Sequence, residues 1–304
     1  MEVPPSPASY RDDPLLMSSL AQFAAARSWR NVFKLSETAK PVPGSPAFFE
    51  VKRLRALALA RLRMFKHAGE ELHGVDLERA PFGLRLLAAG VASLQGGHQA
   101  ALEQLCELEA RAEREGRGEE AAAASLAQVA VLARQKDFVS ALAVAERRRG
   151  REGDSFRVLS MMGQLSLELG DVGRAEKAFS ESISAKGGSA EERAMNEGLL
   201  LVAKNDYEAA LERFEAVLAM GETEMAVAAT NNKAVCLLFT RRLGEAVALL
   251  EGRLMSKPGQ FLEEVFVSNL CTLLDLHSEK PAEKKAEIAK LAAHSDGFDT
   301  SLIV

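Results

Sequence analysis

The sequence predicts an all-α fold in which helix pairs stack as a solenoid, and three observations predict it. The first is a period. Residues 156–258 carry one pattern three times: Gly163, Ala175 and Phe179, then Gly198, Ala210 and Phe214, then Ala234, Ala246 and Leu250, with Pro258 closing the last copy. Ala175 and Ala210 are 35 residues apart, and Ala210 and Ala246 are 36 apart. The second is the chemistry of those positions. Two helix backbones cross closely only where side chains are Gly or Ala, and the large residue then fills the space toward the next unit. The third is composition: alanine is abundant and aromatics are 6% of 304 residues, with 47% hydrophobic and 27% charged, which suits helix-on-helix packing. Small residues at the eighth and twentieth positions and a large one at the twenty-fourth are the signature of the tetratricopeptide repeat, a helix-turn-helix unit of about 34 residues. The expected fold is therefore a tetratricopeptide-repeat helical solenoid with a C-terminal capping helix. Its expected parts are a mobile tail at 1–13, the solenoid at 14–277, clearest at 156–258, and a capping helix and tail at 278–304.

The elements follow in order. Pro4, Pro5 and Pro7 lie in a stretch with no periodicity, the expected mobile tail. From Pro14 the apolar spacing becomes helical, with Leu15, Leu20 and Phe23 before Trp29 and Val32, Phe33 and Leu35 after it. This reads as a degenerate repeat with Trp29 as a wedge between helices. Ser45 followed by Pro46 starts a helix, since proline at the first helical position removes no hydrogen bond. That helix is expected over about 47–67. Lys52, Arg55, Arg63 and Lys66 then share one arc of it, opposite Leu54, Leu57, Met64 and Phe65. The basic stripe reads either as a solvated face or as a surface for acidic lipid heads or an acidic neighbouring subunit.

Pro81 opens the next helix, and Gly96-Gly97-His98 turns into one carrying Ala101 at the twentieth position. The polar run from Arg111 to Glu120 is expected as a helix end and an exposed loop. The next unit carries Val129 and Ala141 and ends in Arg147-Arg148-Arg149-Gly150-Arg151, whose charges complement a helix C-terminus. Ser189 and Glu192 form a capping box. After the third strong copy an apolar helix spans about 259–277. Lys280-Pro281 then begins a last helix with Glu283, Lys284, Lys285 and Glu287 facing outward, which closes the open end of the core.

Reactive chemistry has no foothold in this pattern. The histidines are scattered singly, and there is no H-E-x-x-H or C-x-x-C spacing for a metal. No phosphate-binding glycine loop and no nucleophile elbow occur. The expectation is a protein that is not an enzyme, with no catalytic residue, cofactor or metal. Cys106, Cys236 and Cys271 sit in apolar helical contexts and are expected as small core residues of a reducing compartment. A net charge of -5 provides no long-range attraction for nucleic acid. No run of 18 apolar residues spans a membrane, and the N-terminus lacks the pattern of a secretory signal. Cytoplasmic residence is the expectation.

Recognition by surface remains. In repeats of this kind the sixth position faces the concave side, and here it holds Ala127, Met161, Asn196 and Asn232, with Lys233 beside the last. Asn196, Asn232 and Lys233 are thus candidate readers of an extended peptide backbone. Glu192 and Ala228 stand where a carboxylate clamp for chaperone C-termini wants lysine.

The stretch 231–239, Asn-Asn-Lys-Ala-Val-Cys-Leu-Leu-Phe, together with Arg242-Leu243-Gly244-Glu245-Ala246, resembles the repeat region of the subunit 12 family of the trafficking protein particle (TRAPP) complex. The resemblance continues beyond the repeats, through 266–276, the lysine-rich link 278–285 and the ending 294–299. It implies a non-catalytic scaffold subunit of a TRAPP III type tethering assembly whose small-subunit core exchanges nucleotide on a Rab GTPase. Its implied partners are the large peripheral and small core subunits. Its implied place is cytoplasmic, peripheral to membranes between endoplasmic reticulum and Golgi and in autophagy.

Overall fold

The computed structural model describes residues 14–26, 28–221, 223, 225–293, 298 and 300–303. The tail expected at 1–13 lies outside these residues, as does most of the ending 294–299. Among the described residues the fold is all-α and contains no sheet, a lone bridge between Ser155 and Lys186 aside. They group into two compact units that divide between Lys136 and Asp137.

The first unit holds α1 (Pro14–Ala25), α2 (Trp29–Thr38), α3 (Pro46–Arg61), α4 (Phe65–Leu72), α5 (Phe82–Leu94), α6 (His98–Arg114) and α7 (Gly118–Arg134). Trp29 begins α2 and packs against the buried cluster of Leu20, Val32, Val51, Leu54 and Ala58, as a wedge should. Ser45 caps α3 by accepting the Phe48 amide at 3.1 Å. The single helix expected over 47–67 is two helices. The chain reverses at Arg63, whose φ is +61°, and Met64 is exposed rather than core. The reason is legible afterwards: Ala56 and Ala68, both fully buried, are twelve residues apart, as Gly163 and Ala175 are, so α3 and α4 are the two arms of one repeat. The polar loop expected at 111–120 is mostly helix. Only a short turn separates α6 from α7, and Arg117 ion-pairs with Glu115 and, at 2.8 Å, with Glu120.

The second unit holds α8 (Phe138–Glu152), α9 (Phe156–Glu168), α10 (Val172–Ser184), α11 (Ala190–Ala203), α12 (Tyr207–Ala219), α13 (Ala226–Phe239), α14 (Leu243–Ser256), α15 (Pro258–Phe261), α16 (Glu264–His277), α17 (Pro281–Ala293) and a 3-10 turn, Thr300–Ile303. The three strong copies are the helix pairs α9/α10, α11/α12 and α13/α14. A Cβ on Gly198 would lie 2.6 Å from the ring of Phe214, and one on Gly163 would collide with Phe179. In the third copy the corresponding residues are Ala234 and the smaller Leu250, both buried in one cluster.

The turn inside each pair has a fixed geometry. The residue closing the first helix adopts a left-handed φ at Arg63 (+61°), Gly96 (+92°), Gly170 (+75°), Asn205 (+62°) and Arg241 (+66°). All five occupy the fifteenth position of the repeat. A left-handed residue ends a helix and satisfies its last carbonyls, a task usually given to Gly or Asn.

The capping helix forms as expected, burying Ile288 and Ala292. Two of its supposedly outward lysines turn inward. Lys284 pairs with Glu251 of α14 and Lys285 with Asp275 of α16, each at 2.8 Å. Long side chains on a terminal helix can reach back over the core they cover. Cys236 and Cys271 are buried, and burial pushes the Cys236 thiol up to about 11. Cys106 is exposed, against expectation. It follows Leu105, which is fully buried, and one residue of helix turns the side chain by about 100°.

Candidate partner-binding surfaces

The basic stripe comes apart in three dimensions. Lys52 and Arg55 on α3 converge on one carboxylate, Glu71 of α4, at 2.6 and 3.3 Å. Glu71 is largely buried, so these cations tie the arms of their repeat together instead of facing solvent as a pair. Lys52 also stands 5.8 Å from the Phe48 ring, and Arg55 5.8 Å from that of Phe33. Arg63 sits in the left-handed turn, and exposed Lys66 lies on α4 within 4.0 Å of Glu70. The arc assumed one helix, and the break at Arg63 removes it.

The asparagines also divide. Asn196 on α11 is buried. Its Nδ2 donates to Ser160 Oγ at 2.8 Å, and its Oδ1 accepts from Gln164 Nε2 at 3.2 Å, both on α9. The side chain thus joins successive repeats. Asn232 on α13 is half-buried, with its Nδ2 3.9 Å from Met195 Sδ, a weak contact that leaves most of the amide's capacity open. The neighbouring Asn231 accepts at 2.8 Å from Asn269 of α16, an inter-helix bond the sequence pattern did not single out.

Lys233 leads to a different feature. It pairs with Glu215 at 2.7 Å on the wall of a cleft of about 400 Å³ between α12, α13 and α14. Glu208, Glu212 and Glu245 add carboxylates, and Leu211, Leu237 and Leu249 supply apolar lining. Arg242 answers Glu245 at 2.7 Å, and its hydrogen bond holds the Glu245 carboxyl below the usual carboxylate range. Glu208 and Glu212 are left over, so the cleft is net acidic. At the nearby helix ends Tyr207 and Phe239 stack with centroids 4.6 Å apart, and Phe239 is 58% exposed.

Sequence reasoning missed one polar anchor entirely. Arg193 on α11 donates to four backbone carbonyls, those of Ser182 (2.6 Å), Ile183 (2.9 Å), Ala185 (3.2 Å) and Gly187 (2.8 Å). Its guanidinium also stands 4.8 Å from the Phe156 ring. It holds the α10–α11 connection, where Gly188 at φ +76° lets the backbone come against Phe156.

No group of three or more His, Cys, Asp or Glu among the described residues is placed to hold a metal ion. No described helix is long and apolar enough to cross a membrane.

Stacked helix pairs with recurrent left-handed turns define a tetratricopeptide-repeat solenoid. The tetratricopeptide-repeat family model matches residues 195–254. A tetratricopeptide-repeat protein from Parabacteroides merdae superposes with a TM-score of 0.54 at 12% identity, over 95% of this chain and 96% of that one. A chain of the APC/C hetero-tetramer Cut9–Hcn1 superposes with 0.53 at 12% identity, over 95% and 55%. These two likenesses establish the fold alone.

Sequence relatives are more particular. The chain is 30% identical over 154 residues to trafficking protein particle complex subunit 12 of Mus musculus, covering 48% of this chain and 19% of that protein. The same protein of Homo sapiens matches at 30% over 154 residues, covering 21% of it. This tetratricopeptide-repeat chain is therefore homologous to that subunit through about half of its own length, and it spans about a fifth of those relatives' length.

Proposed function

We propose that this chain is a non-catalytic scaffold subunit of a TRAPP-type tethering and Rab nucleotide-exchange assembly. Its partners there are the large peripheral subunits and the small core subunits, in transport between endoplasmic reticulum and Golgi and in autophagy. The single observation that carries this reading is the 30% identity over 154 residues to subunit 12. Paired helices support it physically, because stacked repeats present broad, rigid surfaces of the size stable complexes bury, about 1,600 Å² in total. The chain then works in the cytoplasm and meets membranes through the complex.

A second reading, a repeat adaptor that binds short linear peptides, rests on Asn232 and Lys233. Asn196 contributes less to it, since its amide is occupied between α9 and α11.

The test is gentle purification of the tagged full chain from its native cells, with mass spectrometry of what accompanies it. TRAPP core and peripheral subunits in fixed proportion are the expected result. Their absence, with unrelated peptides or chaperones recovered instead, overturns the scaffold reading and leaves the adaptor.

A further inference from the structure

The cleft between α12, α13 and α14 is separate from the groove that the asparagines address. Asn232 holds the sixth position of its repeat, whereas Lys233 and Leu237 hold the seventh and eleventh. Along α13 these two turn from Asn232 by about 100° and about 140°. The walls are α12 and α14, the second helices of successive repeats. The floor is apolar, since Leu211 and Leu237 are buried and Leu249 is half-buried. The repeat does not demand that floor. In the preceding groove Glu176 and Arg213 occupy the positions of Leu211 and Leu249, and they pair with Lys204 and Glu197.

The charges around this floor do not cancel. Four carboxylates, those of Glu208, Glu212, Glu215 and Glu245, line the cleft with only two cations, Lys233 and Arg242. Lys233 holds Glu215 at 2.7 Å. Arg242 hydrogen-bonds Glu245 and is attracted by Glu208 and Glu215 as well. Glu212 has no cationic partner among the described residues. It lies one helical turn from Glu208, both are exposed, and like charges at that spacing repel. At the end of the cleft Tyr207, next to Glu208, stacks on the largely exposed Phe239, and an aromatic face attracts both a cation and an apolar group.

Together these features restrict the occupant. No three carboxylates among the described residues are placed to hold a metal ion. A small polyamine would answer the charge and leave the leucines and the ring uncovered. A cationic side chain carried between apolar ones answers both. Arginine suits the place better than lysine, because its planar guanidinium engages two carboxylates at once and stacks on an aromatic face.

We propose that this cleft receives an arginine of a partner polypeptide, held by Glu208 and Glu212, with the partner's adjoining apolar residues against Phe239 and Leu249. The interaction gives the scaffold's partner a chemistry, and it rests on the scaffold reading only in taking the occupant to be a polypeptide.

The experiment uses the full chain with leucine methyl groups labelled with carbon-13 and asparagine amides with nitrogen-15. Three probes are titrated while the Leu249 and Asn232 resonances are followed: the blocked peptide acetyl-Ser-Leu-Arg-Leu-Ser-amide, its glutamine counterpart, and spermine. The arginine peptide should shift the Leu249 methyl resonances saturably and leave the Asn232 amide in place. The glutamine peptide should bind about tenfold more weakly, and the paired variant Glu208→Gln with Glu212→Gln should weaken the arginine peptide about as much. That variant should keep the melting midpoint, because both carboxylates are exposed. Absence of a saturable shift at Leu249, equal binding of the glutamine peptide, equal binding by the variant, or spermine binding as tight as the peptide's overturns the assignment. So do shifts that centre on Asn232, which would place the peptide in the other groove, and a lowered midpoint, which would show that the fold already uses the two carboxylates. None of these outcomes bears on whether TRAPP subunits accompany the chain, so failure of the cleft and failure of the scaffold reading are told apart.

Discussion

Gly198 against Phe214 shows how one residue pair sets the spacing of a repeat. An alanine at a helical glycine ordinarily gains about 1 kcal/mol in helix propensity. Here the added methyl would stand 2.6 Å from a ring that is fully buried and has nowhere to move. Overpacking of this kind costs about 1–3 kcal/mol, so Gly198→Ala should destabilise the chain by about 1 kcal/mol net in urea unfolding. The third copy contains its own remedy, since Ala234 and Leu250 hold the corresponding positions. Gly198→Ala with Phe214→Leu should therefore unfold later than the two single losses summed, and strict additivity would show that the two do not meet. Asn196 yields a second expectation at this scale. Asn196→Ala leaves Ser160 and Gln164 short of a partner in a half-buried place and should cost about 1–2 kcal/mol in the same assay. Asn232→Ala, which loses only a long contact to Met195, should cost less than half as much.

These residues mark what the sequence made legible. Gly163, Gly198, Ala210 and Phe214 announced themselves because packing at a helix crossing tolerates few alternatives, and the structure has each where the period put it. The repeat α3/α4 escaped notice because Arg63 at the left-handed position gives no turn signal, and, unlike the copy that carries Arg241 there, it stands outside the run at 156–258 whose period marks the turn. The twelve-residue spacing of Ala56 and Ala68 was the available clue. Lys52 and Arg55 were misplaced for the same reason. Once the helix breaks, their shared arc becomes a shared partner, Glu71.

At the scale of elements, connections are fixed by caps more than by loop composition. Ser189 accepts the Glu192 amide at 3.1 Å while the Glu192 carboxylate accepts the Ser189 amide at 2.6 Å, the reciprocal box expected at the start of α11. One turn later Arg193 gathers the free carbonyls at the end of α10, so one helix start fastens the previous helix end. Bonds from a charged donor contribute about 1.5–3 kcal/mol, and an ammonium cannot span four carbonyls as a planar fork does. Arg193→Lys should lower stability by about 2 kcal/mol in urea. Hydrogen exchange should show the loss of protection concentrated at 182–190; a uniform loss would deny the local role.

The cap of α8 adds a pH dependence. Asp137 accepts from Ser140, first through the hydroxyl and then through the amide at 3.1 Å, and both hold its carboxyl below the ordinary 3.8. A carboxyl depressed by folding contributes stability that is present above its unfolded value and lost as pH falls through its folded value. The melting midpoint should therefore decline below about pH 4, and Asp137→Asn should reduce the slope of that decline. An identical slope in the variant would remove Asp137 as a contributor.

For the whole molecule, the decisive fact is that the described residues form two compact units, 1–136 and 137–304, and that their features differ in kind. The second unit contains the three strong copies and the residues matched by the repeat model. It also has its own end: α17 buries Ile288 and Ala292 and is pinned by Lys284 and Lys285 to Glu251 and Asp275. A repeat array needs about three units and a capped end to be stable, and residues 137–304 supply both. Expressed alone, this fragment should be helical by circular dichroism and unfold in one cooperative transition. If the scaffold reading holds, the tagged fragment should also recover the TRAPP subunits that the full chain recovers. Residues 1–136 alone should not recover those subunits. A folded 137–304 that brings down no subunit, while the full chain does, would move the assembly surface into the first unit.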